Sequence, residues 1–112
     1  MGKLINANQE ELQQIIDSEK NIVLVDFWAE WCSPCRSLSP ILKNISEETN
    51  ATVVKVNVDD NSELSAKYNV KSIPVVFAIK NGEEVDKIVG AQSKNIYTEL
   101  VKKHTETTDT KD

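Results

Sequence analysis

The sequence predicts an α/β domain built from nine elements in the order β-α-β-α-β-α-β-β-α. Apolar runs rich in β-branched residues alternate with segments whose apolar residues recur at helical spacing. Near the C-terminal end, two strand candidates are joined by Asn81-Gly82, a dipeptide typical of a tight hairpin. Helical crossovers keep the early strands parallel and the hairpin makes the last pair antiparallel. The sequence therefore predicts a mixed five-stranded sheet whose four helices cover both faces.

The first three elements lie before the only two cysteines of the chain. Residues 3–5 form a short strand candidate. Asn8 is a good N-cap, and Glu11 three residues later completes a capping box in front of a helix predicted over residues 9–18. Residues 22–28 are nearly all apolar and rich in β-branched side chains, which is typical of a central strand buried on both faces.

The middle of the chain carries a long helix, a strand and a short helix. The long helix is predicted over residues 33–48, with a kink at Pro40 because the proline ring removes one backbone hydrogen bond. Residues 52–58 interleave valine with polar side chains and form the next strand candidate. A short helix is predicted over residues 62–68, and a connecting loop follows it.

The last elements are the hairpin and one more helix. The hairpin strands are predicted at residues 75–79 and 84–89, and Ser93 is a candidate cap for the final helix. From His104 onward the residues are polar and include four threonines. We therefore expect one folded domain over residues 1–103 and a disordered tail over residues 104–112.

Composition excludes several classes of function. The chain has 112 residues, 28% of them charged, and a formal net charge of -5. An acidic domain has no general attraction for phosphate backbones or anionic lipids, so we expect neither a nucleic-acid nor a membrane partner. Because no long apolar run follows the first residues, we expect no secretory signal or membrane helix and a cytoplasmic location. Nothing in the sequence indicates an oligomer, so we expect a monomer.

Both cysteines fall in one short motif at the junction of a strand and a helix, Trp31-Cys32-Ser33-Pro34-Cys35-Arg36. A helix N-terminus offers free N–H groups and the positive end of a dipole, which stabilise a thiolate. Cys32 is therefore the predicted nucleophile, and Cys35, one turn further on, is the predicted resolving thiol. Pro34 has a fixed φ suited to the first helical turn and keeps that turn rigid. The motif is typical of thiol–disulfide exchange.

The sequence also allows two other uses of the cysteine pair. A purely structural disulfide between Cys32 and Cys35 would close a very short loop, so its entropic gain would be small. A structural zinc site needs four ligands, whereas the chain adds only His104 to its two cysteines. We therefore expect no metal and no cofactor other than the cysteine pair itself.

The chain resembles the thioredoxin family over residues 4 to 103, essentially the whole domain. The resemblance is carried by Phe27-Trp28-Ala29-Glu30-Trp31-Cys32-Ser33-Pro34-Cys35, Pro40, Val56-Asn57-Val58-Asp59, Ile73-Pro74, Asn81-Gly82 and Gly90-Ala91. It implies the thioredoxin fold and the reduction of disulfides in protein substrates. It also implies an electron donor of the thioredoxin reductase type, which uses a flavin.

Asp26 is the one acid in an otherwise apolar strand. Burial should raise the pKa of its carboxyl group, because a lone buried carboxylate is costly. The resemblance implies that Asp26 exchanges protons with the second cysteine, and that Lys55 lies near this acid. The alternative is that Asp26 is only hydrogen-bonded or paired with Lys55, and both roles are compatible.

The resemblance also implies a substrate surface. In the family, the proline that matches Pro74 follows a cis peptide bond and lies against the cysteine pair, and the backbone before it pairs with substrate. Trp31, Ile73, Gly90 and Ala91 would then form a flat apolar rim that accepts extended peptides of many sequences. The alternative for Pro74 is an ordinary trans turn proline.

The active-site motif departs from the usual family pattern. Ser33 stands where the family has glycine, Arg36 where it has lysine, and Ser72 replaces a glycine ahead of Ile73-Pro74. Ser33 either shifts the stability of the thiolate, and so the redox potential, or points to solvent without effect. Two functions therefore stay open beside a reductase. One is a more oxidising thiol oxidase or isomerase, and the other is a non-catalytic binding subunit of a larger complex.

Overall fold

The computed structural model of the protein describes residues 2–109. Its nine elements follow the predicted order: β1 (Lys3–Asn6), α1 (Gln9–Ser18), β2 (Val23–Trp28), α2 (Ser33–Glu48), β3 (Thr52–Asn57), α3 (Ser62–Lys67), β4 (Val75–Lys80), β5 (Glu83–Val89) and α4 (Lys94–Asp109). The fold class is confirmed. The capping box of Asn8 and Glu11 is present at the start of α1, and Pro40 lies within α2.

The five strands form one mixed sheet in the order β1-β3-β2-β4-β5. Strand β3 pairs in parallel with both β1 and β2, whereas β4 is antiparallel to β2 and to β5. Asn81 and Gly82 both have positive φ, 54° and 81°, as the tight turn between β4 and β5 requires. Strand β2 therefore lies at the centre of the sheet, and it leads directly into the cysteine motif.

Alternation along the central strands divides the core into two clusters. Val23, Val25 and Phe27 of β2 point to one face and pack with residues of α1 and α3. Leu24 points to the opposite face and packs beneath α2 and α4. Because successive side chains of a strand point to opposite faces, Asp26 shares the face of Leu24 and lies beneath α2. An acid is thereby placed inside an apolar layer next to the cysteine-bearing helix.

The C-terminal helix extends past residue 103, where the disordered tail was expected to begin. Helix α4 runs to Asp109, so residues 104–109 continue the helix instead of forming the expected disordered tail. At the start of this extension, His104 Nε2 lies 3.3 Å from Asp86 Oδ2 on β5, so the helix contacts the sheet there. Residues 110–112 of the predicted tail lie outside the described residues. No helix in the described part of the chain is long and apolar enough to cross a membrane.

Candidate active site

The cysteine pair lies where β2 gives way to α2. Cys32 is the N-cap of α2, and its Sγ accepts a hydrogen bond from the backbone N–H of Cys35 at 3.2 Å. The two side chains form a disulfide, with Cα atoms 5.3 Å apart. Both residues are nearly buried in this oxidised state, and Cys35 is slightly less exposed than Cys32. A reduced Cys32 thiolate would receive this same N–H, which is the contact that stabilises a thiolate at a helix start.

The residues that depart from the family motif interact with each other on the surface. Arg36 donates a hydrogen bond to Ser33 Oγ at 3.1 Å and another to the carbonyl of Glu30. Ser33, Pro34 and Arg36 are all exposed. The hydroxyl of Ser33 is therefore directed at the guanidinium and away from the cysteine sulfurs, and this geometry favours the interpretation in which Ser33 has little effect on them.

The predicted rim is assembled from three separate parts of the chain. The Ile73–Pro74 peptide bond is cis, and the carbonyl oxygen of Ile73 lies 3.8 Å from Cys32 Sγ. Gly90 donates its N–H to the carbonyl of Pro74 at 2.8 Å, which places the chain that continues into exposed Ala91 beside the proline.

The third part of the rim is Trp31, the most exposed large apolar side chain of the described residues at 69%. Its indole Nε1 donates to Asp59 Oδ2 at 3.0 Å. This hydrogen bond fixes an aromatic ring in solvent next to Cys32. A groove lined by Trp31, Val58, Val70 and Ile73 runs beside it. An ordered apolar surface beside a disulfide suits contact with a polypeptide.

Beneath helix α2, Asp26 and Lys55 are direct partners across the pair of strands β2 and β3. Lys55 Nζ lies 3.2 Å from Asp26 Oδ2, whereas Asp26 Oδ1 is buried with no hydrogen-bond partner. Burial raises the pKa of Asp26, and the neighbouring Lys55 ammonium only partly offsets that rise. The rise is in the expected direction. A carboxyl group of this kind can hold and release a proton nearer to neutral pH than an exposed aspartate.

Ser39 of α2, which is partly buried, also belongs to this group and was not among the predicted site residues. Its Oγ accepts a hydrogen bond from Lys55 Nζ at 3.1 Å. The signal was present, because Cys35, Leu38, Ser39 and Leu42 follow the spacing of one helix face, and a serine on an otherwise buried stripe needs a polar partner. Trp28 also approaches the group, since the Lys55 ammonium lies 5.1 Å from the centroid of its ring.

The described residues contain no group of three histidine, cysteine or acidic side chains that could hold a metal ion. The site instead consists of a dithiol pair, a buried acid with its lysine, and an exposed rim. This combination can form and break disulfide bonds by exchange, and it can store the proton that such an exchange releases.

Comparison with known proteins agrees with this chemistry. The thioredoxin family model matches residues 3–103. A thioredoxin of Chlamydia pneumoniae is 48% identical over 105 residues, which cover 93% of this chain and 99% of that relative. A thioredoxin of Chlorobaculum thiosulfatiphilum is 41% identical over 106 residues, which cover 92% and 97%.

Solved structures give the same result for the fold. The reduced thioredoxin pre-protein of Schistosoma mansoni superimposes with a TM-score of 0.84 at 40% identity, over 91% of this chain and 98% of that one. A mutant thioredoxin from Halobacterium salinarum superimposes with a TM-score of 0.85 at 33% identity, over 91% and 89%. With its redox-type disulfide, this chain belongs to the thioredoxin family of thiol–disulfide oxidoreductases.

Proposed function

We propose that this protein is a protein-disulfide reductase, with Cys32 as nucleophile and Cys35 as resolving thiol. The observation that carries the proposal is the placement of Cys32 Sγ. It sits at the start of α2, accepts an N–H hydrogen bond and lies beside the exposed rim around Trp31 and Ile73. A thiolate at this position is both stabilised and next to a surface on which a polypeptide can dock.

The reaction proceeds in two exchanges. The Cys32 thiolate attacks one sulfur of a substrate disulfide, so that a mixed disulfide forms and the other substrate sulfur leaves as a thiolate. Cys35 then loses its proton and attacks Cys32 Sγ, which releases the second substrate thiolate and leaves the Cys32–Cys35 disulfide. The substrate gains the two electrons that the cysteine pair loses. Asp26 is proposed to take the Cys35 proton, with Lys55 beside it.

The proposal also assigns the substrate-binding residues, the partners and the location of the protein. Trp31, Ile73, Pro74, Gly90 and Ala91 bind an extended segment of the substrate, while Pro34 keeps the first turn of α2 rigid. Disulfide-containing proteins are the substrates, and a thioredoxin reductase-type enzyme returns the oxidised pair to the dithiol. The protein acts as a cytoplasmic monomer whose only redox group is the cysteine pair.

A trapping experiment tests the roles of the two cysteines. In Cys35→Ser, the mixed disulfide with a reducible protein such as insulin should accumulate, because no thiol remains to resolve it. Cys32→Ser should trap nothing. Adding Ser37→Cys to this variant places a thiol at an exposed position of the same helix, and so tests whether exposure of a thiol is enough for trapping. Equal trapping through either cysteine would contradict the assignment of Cys32 as the nucleophile.

The redox potential separates a reductase from an oxidase or isomerase. Titration against glutathione or dithiothreitol buffers can be followed by fluorescence, because Trp28 and Trp31 both lie close to the cysteines. A potential well below that of the glutathione pool supports electron donation to protein substrates. A potential near or above that of the glutathione pool would favour the oxidising functions.

Full activity of a larger complex containing the Cys32→Ser, Cys35→Ser double variant would instead indicate a binding subunit.

A further inference from the structure

Ser39 lies one helical turn after Cys35, on the face of α2 that covers the sheet. Its Oγ accepts a hydrogen bond of 3.1 Å from Lys55 Nζ, and the same ammonium lies 3.2 Å from Asp26 Oδ2. A single buried ammonium group is thus held between a hydroxyl of the cysteine-bearing helix and a carboxylate of the central strand.

The Lys55 ammonium has little access to water to replace these contacts. The Lys55 side chain is 9% exposed and that of Asp26 is 1% exposed. An ammonium has three N–H donors, and a buried donor that loses its acceptor costs free energy. The hydroxyl of Ser39 is therefore a substantial part of what stabilises the charge of Lys55 at this position.

The Lys55 ammonium also has a second polar environment within reach. A groove lined by Asn6, Asn57 and Asp60 reaches Lys55 from outside the sheet. The lysine stem is long and flexible, so the ammonium can move toward such a groove when its inner contacts weaken. Asp60 would attract it there. The Lys55 ammonium therefore stays beside Asp26 only while a contact on its buried side holds it there.

We propose that Ser39 is a positioning residue for disulfide exchange, whose hydroxyl holds the Lys55 ammonium against the Asp26 carboxylate. This inference rests on the proposed function only in assigning the Cys35 proton to Asp26. Through Lys55, the hydroxyl sets how strongly Asp26 binds that proton. Ser39 thereby couples the helix that carries Cys35 to the buried acid beneath it.

Two further titratable groups approach the pair and bear on its pH dependence. Asp60, from the loop after β3, lines the groove that reaches Lys55. Tyr97, from α4, is fully buried, and its pKa is raised by burial and also by the charge of Asp26. Neither Asp60 nor Tyr97 replaces the contact that Ser39 makes. Ser39 Oγ is the second acceptor of the Lys55 ammonium, beside Asp26.

The test is a carbon-13 NMR titration of the Asp26 carboxyl group in the oxidised protein, which requires no turnover. In Ser39→Ala the pKa of Asp26 should rise above that of the unchanged protein, because Lys55 offsets burial less well. Ser39→Thr keeps the hydroxyl and should restore the original pKa. Ser37→Ala makes the same change at an exposed position of α2 and should leave the pKa unaltered.

An unchanged or lowered Asp26 pKa in Ser39→Ala would overturn the inference, since the hydroxyl would then be passive or would draw Lys55 away from Asp26. The role in the reaction has its own readout, the pH profile of insulin reduction. Its acid limb should move to higher pH in Ser39→Ala and stay in place in Ser37→Ala. A shifted pKa with an unmoved limb would overturn that role. Failure of the Cys35→Ser trapping experiment would count against the proposed function alone.

Discussion

Replacing Asp26 with alanine should make the protein slower and more stable at the same time. The carboxyl group is 1% exposed, and only one of its two oxygens has a partner. Burial of an ionised carboxylate with an unpartnered oxygen destabilises the folded state. Removing the group relieves this destabilisation but also removes the proposed acceptor for the Cys35 proton. A residue retained for stability alone would behave in the opposite way.

The sign of the pH dependence follows from the raised pKa of Asp26, whose main cause is burial. The folded state binds the Asp26 proton more tightly than the unfolded chain does, so stability from this group is present at low pH and is lost as pH rises through the folded pKa. The increase in the free energy of unfolding of Asp26→Ala should therefore appear only at pH values above the ordinary aspartate pKa of 3.8. A buried unpartnered oxygen costs about 2 kcal/mol, and this sets the expected gain once the pH exceeds the raised pKa of Asp26. Lys55 can lower the cost of losing its partner by moving toward the polar groove that Asp60 lines.

Urea denaturation at about pH 8 and about pH 4 measures this difference, because the stability that a group with a raised pKa contributes falls as pH rises. Asp17→Ala, a change at an exposed aspartate of α1, controls for loss of one negative charge and should stay within ~0.5 kcal/mol at both pH values. Insulin reduction near neutral pH should be slower in Asp26→Ala. A less stable variant at pH 8, with an unchanged rate, would refute the argument, because Asp26 would then act only as the ion-pair partner of Lys55.

Three further predictions concern the edges of the site and of the fold. His104→Ala removes the contact with Asp86, so the free energy of unfolding should fall by about 1 kcal/mol and amide exchange in the last turns of α4 should accelerate. Trp31→Ala should raise the KM for insulin roughly tenfold with little change in kcat or thermal stability, because the exposed ring binds substrate and contributes little to the core. Ser33→Gly should shift the redox potential by less than about 30 mV, since Ser33 Oγ contacts Arg36 and not a cysteine; a larger shift in a redox titration would contradict this geometry.

Local patterns predicted the elements because each pattern has a local cause. The apolar run over residues 22–28 forms a buried central strand, and Asn81-Gly82 adopts the positive φ values that its turn needs. The pairing of Asp26 with Lys55 was also among the expected alternatives. The strand and the turn depend on contacts within a few residues in sequence. A charge in an apolar strand indicated that Asp26 is unusual, whereas the family resemblance identified Lys55 as its neighbour.

The features that the sequence did not reveal depend on long-range register. The antiparallel placement of β4 beside β2 follows from how the chain turns after α3, which hydrophobic periodicity does not encode. The contact of α4 with β5 joins His104 to Asp86, 18 positions earlier in the chain. The role of Ser39 depends on which residue of β3 lies beneath α2. Composition after residue 103 indicated disorder because it reports only local tendencies and not the contact that His104 makes with the sheet.

Sheet register explains why the site and the core cannot be separated in this fold. Asp26 and Lys55 are opposite each other in the parallel pairing of β2 and β3, and both side chains lie under α2. A slip of β3 by one residue would move Lys55 to the opposite face and bring a valine into its place, because strand side chains alternate between faces. Asp26 would then be a buried acid without a cation, and Ser39 would lose its donor. The apolar residues that fix the register of β3 therefore also determine how tightly Asp26 binds its proton.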